Sequence, residues 1–174
     1  MTFVSSPHPA TILDEKLLKQ CVINVGRFNS GPGGQHRNKV ETSVRIEHTP
    51  TGIKGAGNER RSQHQNKGAA LRRLRLALAR EIRTKVNPQK YEVSDMWKSR
   101  RQGRTVSISY KHHDYPALLA EALDIIVAKG FDVAGAAGIM GISMSQLAKL
   151  VRHDKLAFAR VNKNRVDSGL PALK

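Results

Sequence analysis

Acidic side chains are scarce in this chain. Fourteen Asp and Glu stand against 30 Lys and Arg, a formal net charge of +16 over 174 residues. Such an imbalance opposes compaction by self-repulsion and favours a polyanionic partner, nucleic acid ahead of an anionic membrane. The membrane alternative has no strongly amphipathic basic helix with aromatic anchors behind it. Long apolar runs are also missing, and none approaches the roughly 18 residues of a spanning helix. Residues 1–10, MTFVSSPHPA, lack the basic and apolar regions of a signal peptide and read as a disordered N-terminus. Cysteine is limited to Cys21, within apolar CVINV. That excludes an intrachain disulfide framework, fits a cytoplasmic protein, and makes Cys21 a small buried hydrophobe. Aromatics are 5% of the chain, so the core is expected to be aliphatic and small.

The charge that is present is unevenly spread. Residues 1–114 hold 22 Lys/Arg against 9 Asp/Glu, and residues 115–174 hold 8 against 5. The polyanion contact is therefore expected in the first two thirds. Residues 11–20 predict a short helix with Thr11 as N-cap. Residues 21–28 and 42–48 predict strands, and Thr49–Gly52 (TPTG) a turn leading to a weak return strand at 53–57. A helix is predicted from Ser62 to about Val86, ended by Pro88. Ala70, Leu71, Leu74, Leu78 and Ile82 form its apolar face, and Arg72, Arg73, Arg75, Arg80 and Arg83 lie elsewhere on it. Residues 87–104 end in KSRRQGR and read either as a flexible basic linker or as a nucleic-acid-contacting loop. Residues 105–110, TVSISY, alternate as a strand that could extend the earlier sheet. His112 and His113 have no further ligands at metal-site spacing.

The most informative stretch is SGPGGQHRNK, residues 30–39. Glycine and proline leave it nothing to pack with, and positive charge gathers behind an uncharged tip. It is followed by SVRIEHTPTGI and then RSQHQNK. In this order and spacing the run, from residue 27 to about residue 80, closely resembles the catalytic domain of bacterial and organellar peptide-chain release factors. The resemblance implies an α+β fold, with a small mixed sheet, a hairpin and a long basic helix. It implies hydrolysis, on the ribosome, of the ester linking peptide to tRNA. It also implies catalytic Gly33, Gly34 and Gln35, with Gln35 a methylation position in the family. Glycine permits the backbone conformations and close approach such a tip needs. The main-chain N–H of Gln35 would stabilise charge developing on oxygen, and its neutral side chain would admit water. His36 could be read as a general base, but the family needs none, and no cofactor or metal is implied.

Large-subunit rRNA and peptidyl-tRNA are the implied partners of a monomeric protein. The expected RNA contacts are Arg27, Arg37, Lys39, Arg45, Arg60, Arg61, Gln63, Asn66, Lys67, Arg72 and Arg73. Ser62 is also expected to cap the helix. Two positions depart from the family pattern: Phe28 stands where an Arg is common, and Arg37 where a small or apolar residue is usual.

These features place a peptidyl-tRNA hydrolase domain at 11–114, with the basic linker near 87–104, and an all-α module at 115–174. The latter contains DVAGAAGIMGISMSQLAKLV, which resembles a Fis-type helix-turn-helix. A plain helical hairpin is the alternative. With only about 25 residues before the catalytic domain, the chain resembles the short, codon-independent release factors that rescue stalled ribosomes. Its helical module would contact the mRNA channel, small-subunit rRNA or a partner protein. The competing function is a non-catalytic RNA- or DNA-binding regulator, and hydrolysis of free peptidyl-tRNA is a third.

Overall fold

The computed structural model describes residues 2–27 and 41–174. Its α+β architecture divides into two compact units, Ile12–Leu78 and the combination of Met1–Thr11 with Ala79–Lys174. The break between these units falls at residue 78, inside the segment 11–114 read as one domain from the sequence, and the first eleven residues belong with the later part of the chain.

In the Ile12–Leu78 unit, α1 (Asp14–Leu18) leads into β2 (Cys21–Gly26), β3 (Ser43–His48) and β4 (Ile53–Gly57). The three strands form an antiparallel sheet in the order β2-β3-β4. The TPTG turn closes the β3–β4 hairpin, with Gly52 at φ +68° donating its N–H to the His48 carbonyl at 2.8 Å. Alternation puts Val44, Ile46 and His48 on the buried face and Arg45 on the open face. The long helix α2 (Gln63–Glu81) covers the buried face with Ala70, Leu74 and Leu78, all fully buried.

Glycine explains why IKGAG is a strand although its residues favour none. A Cβ on Gly55 would lie 2.2 Å from the Ala70 carbonyl oxygen, and one on Gly57 2.1 Å from that of Asn66. The strand and helix backbones approach so closely that only glycine fits. Thr11 does not cap α1. Its hydroxyl donates to the His8 carbonyl at 2.7 Å, and Leu13 occupies the N-cap position without a side-chain bond. Cys21 is half-buried, its thiol donating to the Leu17 carbonyl at 3.1 Å.

In the second unit, residues 2–10 are not the disordered tail expected. Strand β1 (Thr2–Val4) pairs in parallel with β5 (Ile82–Thr84), and His8, Pro9 and Ala10 are buried. The same pairing ends α2 at Glu81, before the Pro88 that was expected to stop it. Beyond it come α3 (Asp95–Arg100), capped by Ser94, and a two-stranded ribbon of β6 (Arg101–Gln102) and β7 (Thr105–Val106). Only the first two residues of TVSISY are therefore paired, in a separate sheet. Gly103, at φ +58°, and Arg104 make the two-residue connection that fixes this register.

Helix α4 (Tyr115–Ala128) is the centre of this unit, buried along nearly its whole length. Burying Leu118, Leu119, Ile125 and Ile126 contributes about 2 kcal/mol each. Two aromatics lie deep in this core, whereas Phe3 and Tyr110 stay exposed. Trp97 is fully buried and donates to the Met140 carbonyl at 3.0 Å, and the Tyr115 hydroxyl donates to that of Leu150 at 3.0 Å. Helices α5 (Val133–Ile139), α6 (Met144–Arg152) and α7 (Lys155–Asp167) complete the unit. Their N-caps are Asp132, Ser143 and Asp154.

Candidate functional site

The residues of greatest chemical interest, Gly33, Gly34 and Gln35, lie outside the described residues, as do Phe28, His36, Arg37 and Lys39. Their mount is described. Strands β2 and β3 are in register to their ends, where Gly26 pairs with Ser43. The chain leaves the sheet through Arg27 and returns through Glu41, whose side chains approach to 3.9 Å while both stay exposed.

The returning limb is tied to α2. Asn66 is fully buried, and its side-chain N–H groups donate to the carbonyls of Thr42 at 2.7 Å and Arg60 at 2.8 Å. Its oxygen accepts from the Arg60 N–H at 2.9 Å. One amide thus satisfies three backbone groups from two separate loops. Burial corrects the expectation that Asn66 contacts RNA, since no external phosphate can reach it. Ser62 caps α2 as expected, accepting from the Gln65 N–H at 3.4 Å.

The other predicted contact residues that are described are exposed: Arg27, Arg45, Arg60, Arg61, Gln63, Lys67, Arg72 and Arg73. They differ in how far they are already engaged. Arg73 pairs with Glu59, holds that carboxyl below its usual range, and donates to the Ala56 carbonyl at 2.6 Å. Among the described residues no carboxylate pairs with Arg45, Arg60, Arg61 or Lys67, whereas Glu47 is taken by Lys54 at 3.0 Å. With the three acids of this unit after residue 40 each facing an arginine or lysine, these four cations leave positive charge on the unit uncompensated.

Three arginines of the long basic segment do different work. Arg75 pairs with Asp14 and donates to the Ile12 carbonyl. Arg80 lies 3.4 Å from Asp154. Arg83 is buried and donates to Asp124 at 2.9 Å, as well as to the Ala79 and Ala120 carbonyls. Thr84 donates to the other Asp124 oxygen. Burial pushes the Asp124 carboxyl up, and Arg83 pulls it back. A helical wheel hides these roles, because the partners lie far away in sequence.

Two other clusters bring titratable side chains together. His112, His113 and Asp114 bring ligand atoms within 4.8 Å of one another. The Arg100 guanidinium, however, donates to Asp114 at 2.6 Å and sits 3.3 Å from His112, so a fixed cation already uses the carboxylate. In a cleft of ≈ 580 Å³ the buried Glu121 accepts from the Tyr91 hydroxyl at 2.7 Å and from Ser94 N–H and hydroxyl at 2.8 and 2.6 Å. That carboxylate anchors the N-cap of α3, and burial beside it pushes the Tyr91 phenol up. The Ser94 hydroxyl is itself committed to the fold, accepting from the Trp97 N–H at 3.1 Å while it donates to Glu121.

The helix-turn-helix expectation corresponds to α5 and α6, which cross at 104° through Gly141 at φ +68°. That lies within the range of such motifs. Among the described residues no single helix is long and apolar enough to cross a membrane.

Residues 17–115 match the family model described as the RF-1 domain. The match crosses the boundary at residue 78 and stops where α4 begins. A stretch of 54 residues is 54% identical to Peptide chain release factor 1 of Acidiphilium cryptum (strain JF-5). It covers 31% of this chain but only 15% of that relative's length.

Proposed function

Because the chain belongs to the RF-1 domain family, we propose that it hydrolyses the ester between nascent peptide and tRNA on the ribosome. The observation that carries this reading is the mount at residues 26–43: paired strand ends, a return limb clamped by Asn66, and cations without carboxylate partners around them. It suits a segment that must reach into folded RNA.

Water attacks the ester carbonyl carbon, the bond to the ribose oxygen breaks, and the peptide leaves as its carboxylate while the ribose hydroxyl regains a proton. The main-chain N–H of Gln35 stabilises charge on oxygen during this step, and the Gln35 side chain selects water. Gly33 and Gly34 let the backbone approach. Arg27, Arg37, Lys39, Arg45, Arg60, Arg61, Gln63, Lys67 and Arg72 meet rRNA phosphates and sugars, with Arg73 a weaker contributor because Glu59 holds it. No side-chain base is required.

The finer reading is release without a codon. The helix-turn-helix module that follows the RF-1 match supports it, as a nucleic-acid-binding element suited to recognising a stalled ribosome. Release assays on ribosomes with an empty decoding site, set beside ribosomes paused on intact mRNA, test it. Gln35→Ala should abolish release on the former while leaving ribosome binding near wild type. Release by that variant at the normal rate would remove the catalytic assignment. The 104° crossing of α5 and α6 favours the second reading, a non-catalytic regulator. Release from neither substrate, with tight binding to duplex DNA, would select it.

A further inference from the structure

The basic stretch KSRRQGR, left open between linker and contact loop, is folded. It forms the end of α3 and the β6–β7 ribbon, and that ribbon packs beside α6. The Ser143 N–H at the N-cap of α6 donates to the Arg104 carbonyl at 3.0 Å. The Arg101 guanidinium lies against Gly141 so closely that a Cβ there would sit 2.0 Å from it. The turn of the helix-turn-helix and the ribbon are thus one assembly, with Arg104 at the ribbon tip beside the start of the second helix.

The outward side of α6 carries Ser145, Lys149 and Arg152, spaced four and three apart and all exposed. Leu147, Ala148, Leu150 and Val151 hold its other side in the core. Nearby acids are occupied: Asp95 by Lys98, Asp114 by Arg100, Asp132 and Asp154 by helix N-caps. Among the described residues no carboxylate pairs with Arg101, Arg104 or Lys149. The ribbon and helix therefore present one positive surface. A cleft of ≈ 400 Å³ between them is lined by Gln102, Thr105, Ser107 and Gln146, which carry hydroxyls and amides, with apolar Val106 and Ile108 among its other residues.

We infer that the β6–β7 ribbon and α6 together form a dock for double-helical RNA, with Arg104, Lys149 and Arg152 on phosphates and the cleft's hydroxyl and amide groups on ribose 2′-hydroxyls. The choice of RNA over DNA rests in part on the proposed action at the ribosome. It also follows from the surface. The first turn of α6 exposes Met144 and Ser145, while its one side chain able to read a base edge bidentately in a DNA major groove, Gln146, is half-buried and lines the cleft beside the ribbon. Phosphate and 2′-hydroxyl contact across a wide, shallow groove is how proteins hold an RNA duplex.

The test uses the full chain and a fluorescently labelled RNA duplex of about 16 base pairs. The variant Arg104→Glu/Lys149→Glu is compared with Lys16→Glu/Lys19→Glu, which has the same net charge but alters exposed residues of α1 and its C-cap. The ribbon–helix variant should lose about tenfold or more in affinity and flatten the salt dependence, while the control stays within about twofold. Arg104→Ala/Lys149→Ala should follow in the same direction with an unchanged melting temperature. Equal effects of the two charge reversals, no effect of either, or tighter binding of a DNA duplex of the same sequence would overturn the proposal. Gln35→Ala should bind the duplex normally, so a failure of the hydrolysis reading registers in peptide release and not in this assay.

Discussion

The Asn66 side chain donates to the Thr42 carbonyl at 2.7 Å, joining the start of the long helix to the limb that returns from the candidate catalytic segment. The same amide holds Arg60 through both its N–H and its carbonyl. Asn66→Ala leaves three backbone groups without partners at a buried position. It should cost about 2–4 kcal/mol, read as a lower denaturation midpoint. If Asn66 acted by touching RNA instead, the variant would keep wild-type stability and lose only ribosome affinity.

Gly57→Ala should be more damaging than its size suggests. The added methyl meets the Asn66 carbonyl at 2.1 Å, so β4 must lift away from α2, at a cost of about 3 kcal/mol or more. Gly68 lies in the same helix with nothing within 4 Å of an added Cβ. Gly68→Ala should stabilise by about 0.5–1 kcal/mol. Urea unfolding of the two variants separates close approach from helix propensity.

Arg83 and Asp124 are a buried pair whose members depend on each other. Arg83→Met alone strands a carboxylate and should cost about 3–5 kcal/mol. The double variant Arg83→Met/Asp124→Leu should recover a large part of that loss. Equal stability of the single and double variants in thermal melts would contradict the coupling.

His8 supplies a pH dependence of known sign. Its Nε2 bonds the Ile82 carbonyl at 3.0 Å, and its Nδ1 accepts from the Ala10 N–H at 3.0 Å, so the ring is held neutral. Burial pulls its pKa down to about 4, and the nearby Arg83 adds to the effect. The unfolded chain takes up a proton near pH 6.5, while the folded chain resists until about pH 4. Stability is therefore full above pH 6.5 and falls as pH drops toward 4, by about 3 kcal/mol from this group. His8→Gln, which keeps an N–H for Ile82, should flatten that part of the stability profile.

The hairpin, the start of the long helix and the helix pair within DVAGAAGIMGISMSQLAKLV were legible because alternation, Ser62 and the glycine between the two helices are local signals. The end of the long helix was not. Ile82, Arg83 and Thr84 continue the helical pattern until Thr2–Val4 pairs with them, and nothing nearby in sequence announces a parallel partner. Composition hid Trp97 and Tyr115, since a low aromatic count does not say where the few aromatics go. Asn66 was misread for a related reason: a polar residue in a basic stretch signals RNA until its backbone partners are seen. The exposed cations Arg45, Arg60, Arg61 and Lys67 stand out by charge in the sequence, and among the described residues no carboxylate pairs with their side chains.

The pairing of Thr2–Val4 with Ile82–Thr84 also fixes an order of events during synthesis. Parallel neighbours need a long crossover, and here that connection contains the whole Ile12–Leu78 unit, including the segment assigned to peptide release. The first strand made must wait until residues 82–84 have left the tunnel, by which time every residue of the intervening unit has been made. Among the described strands, Thr2–Val4 is the one whose partner is made the greatest number of residues later.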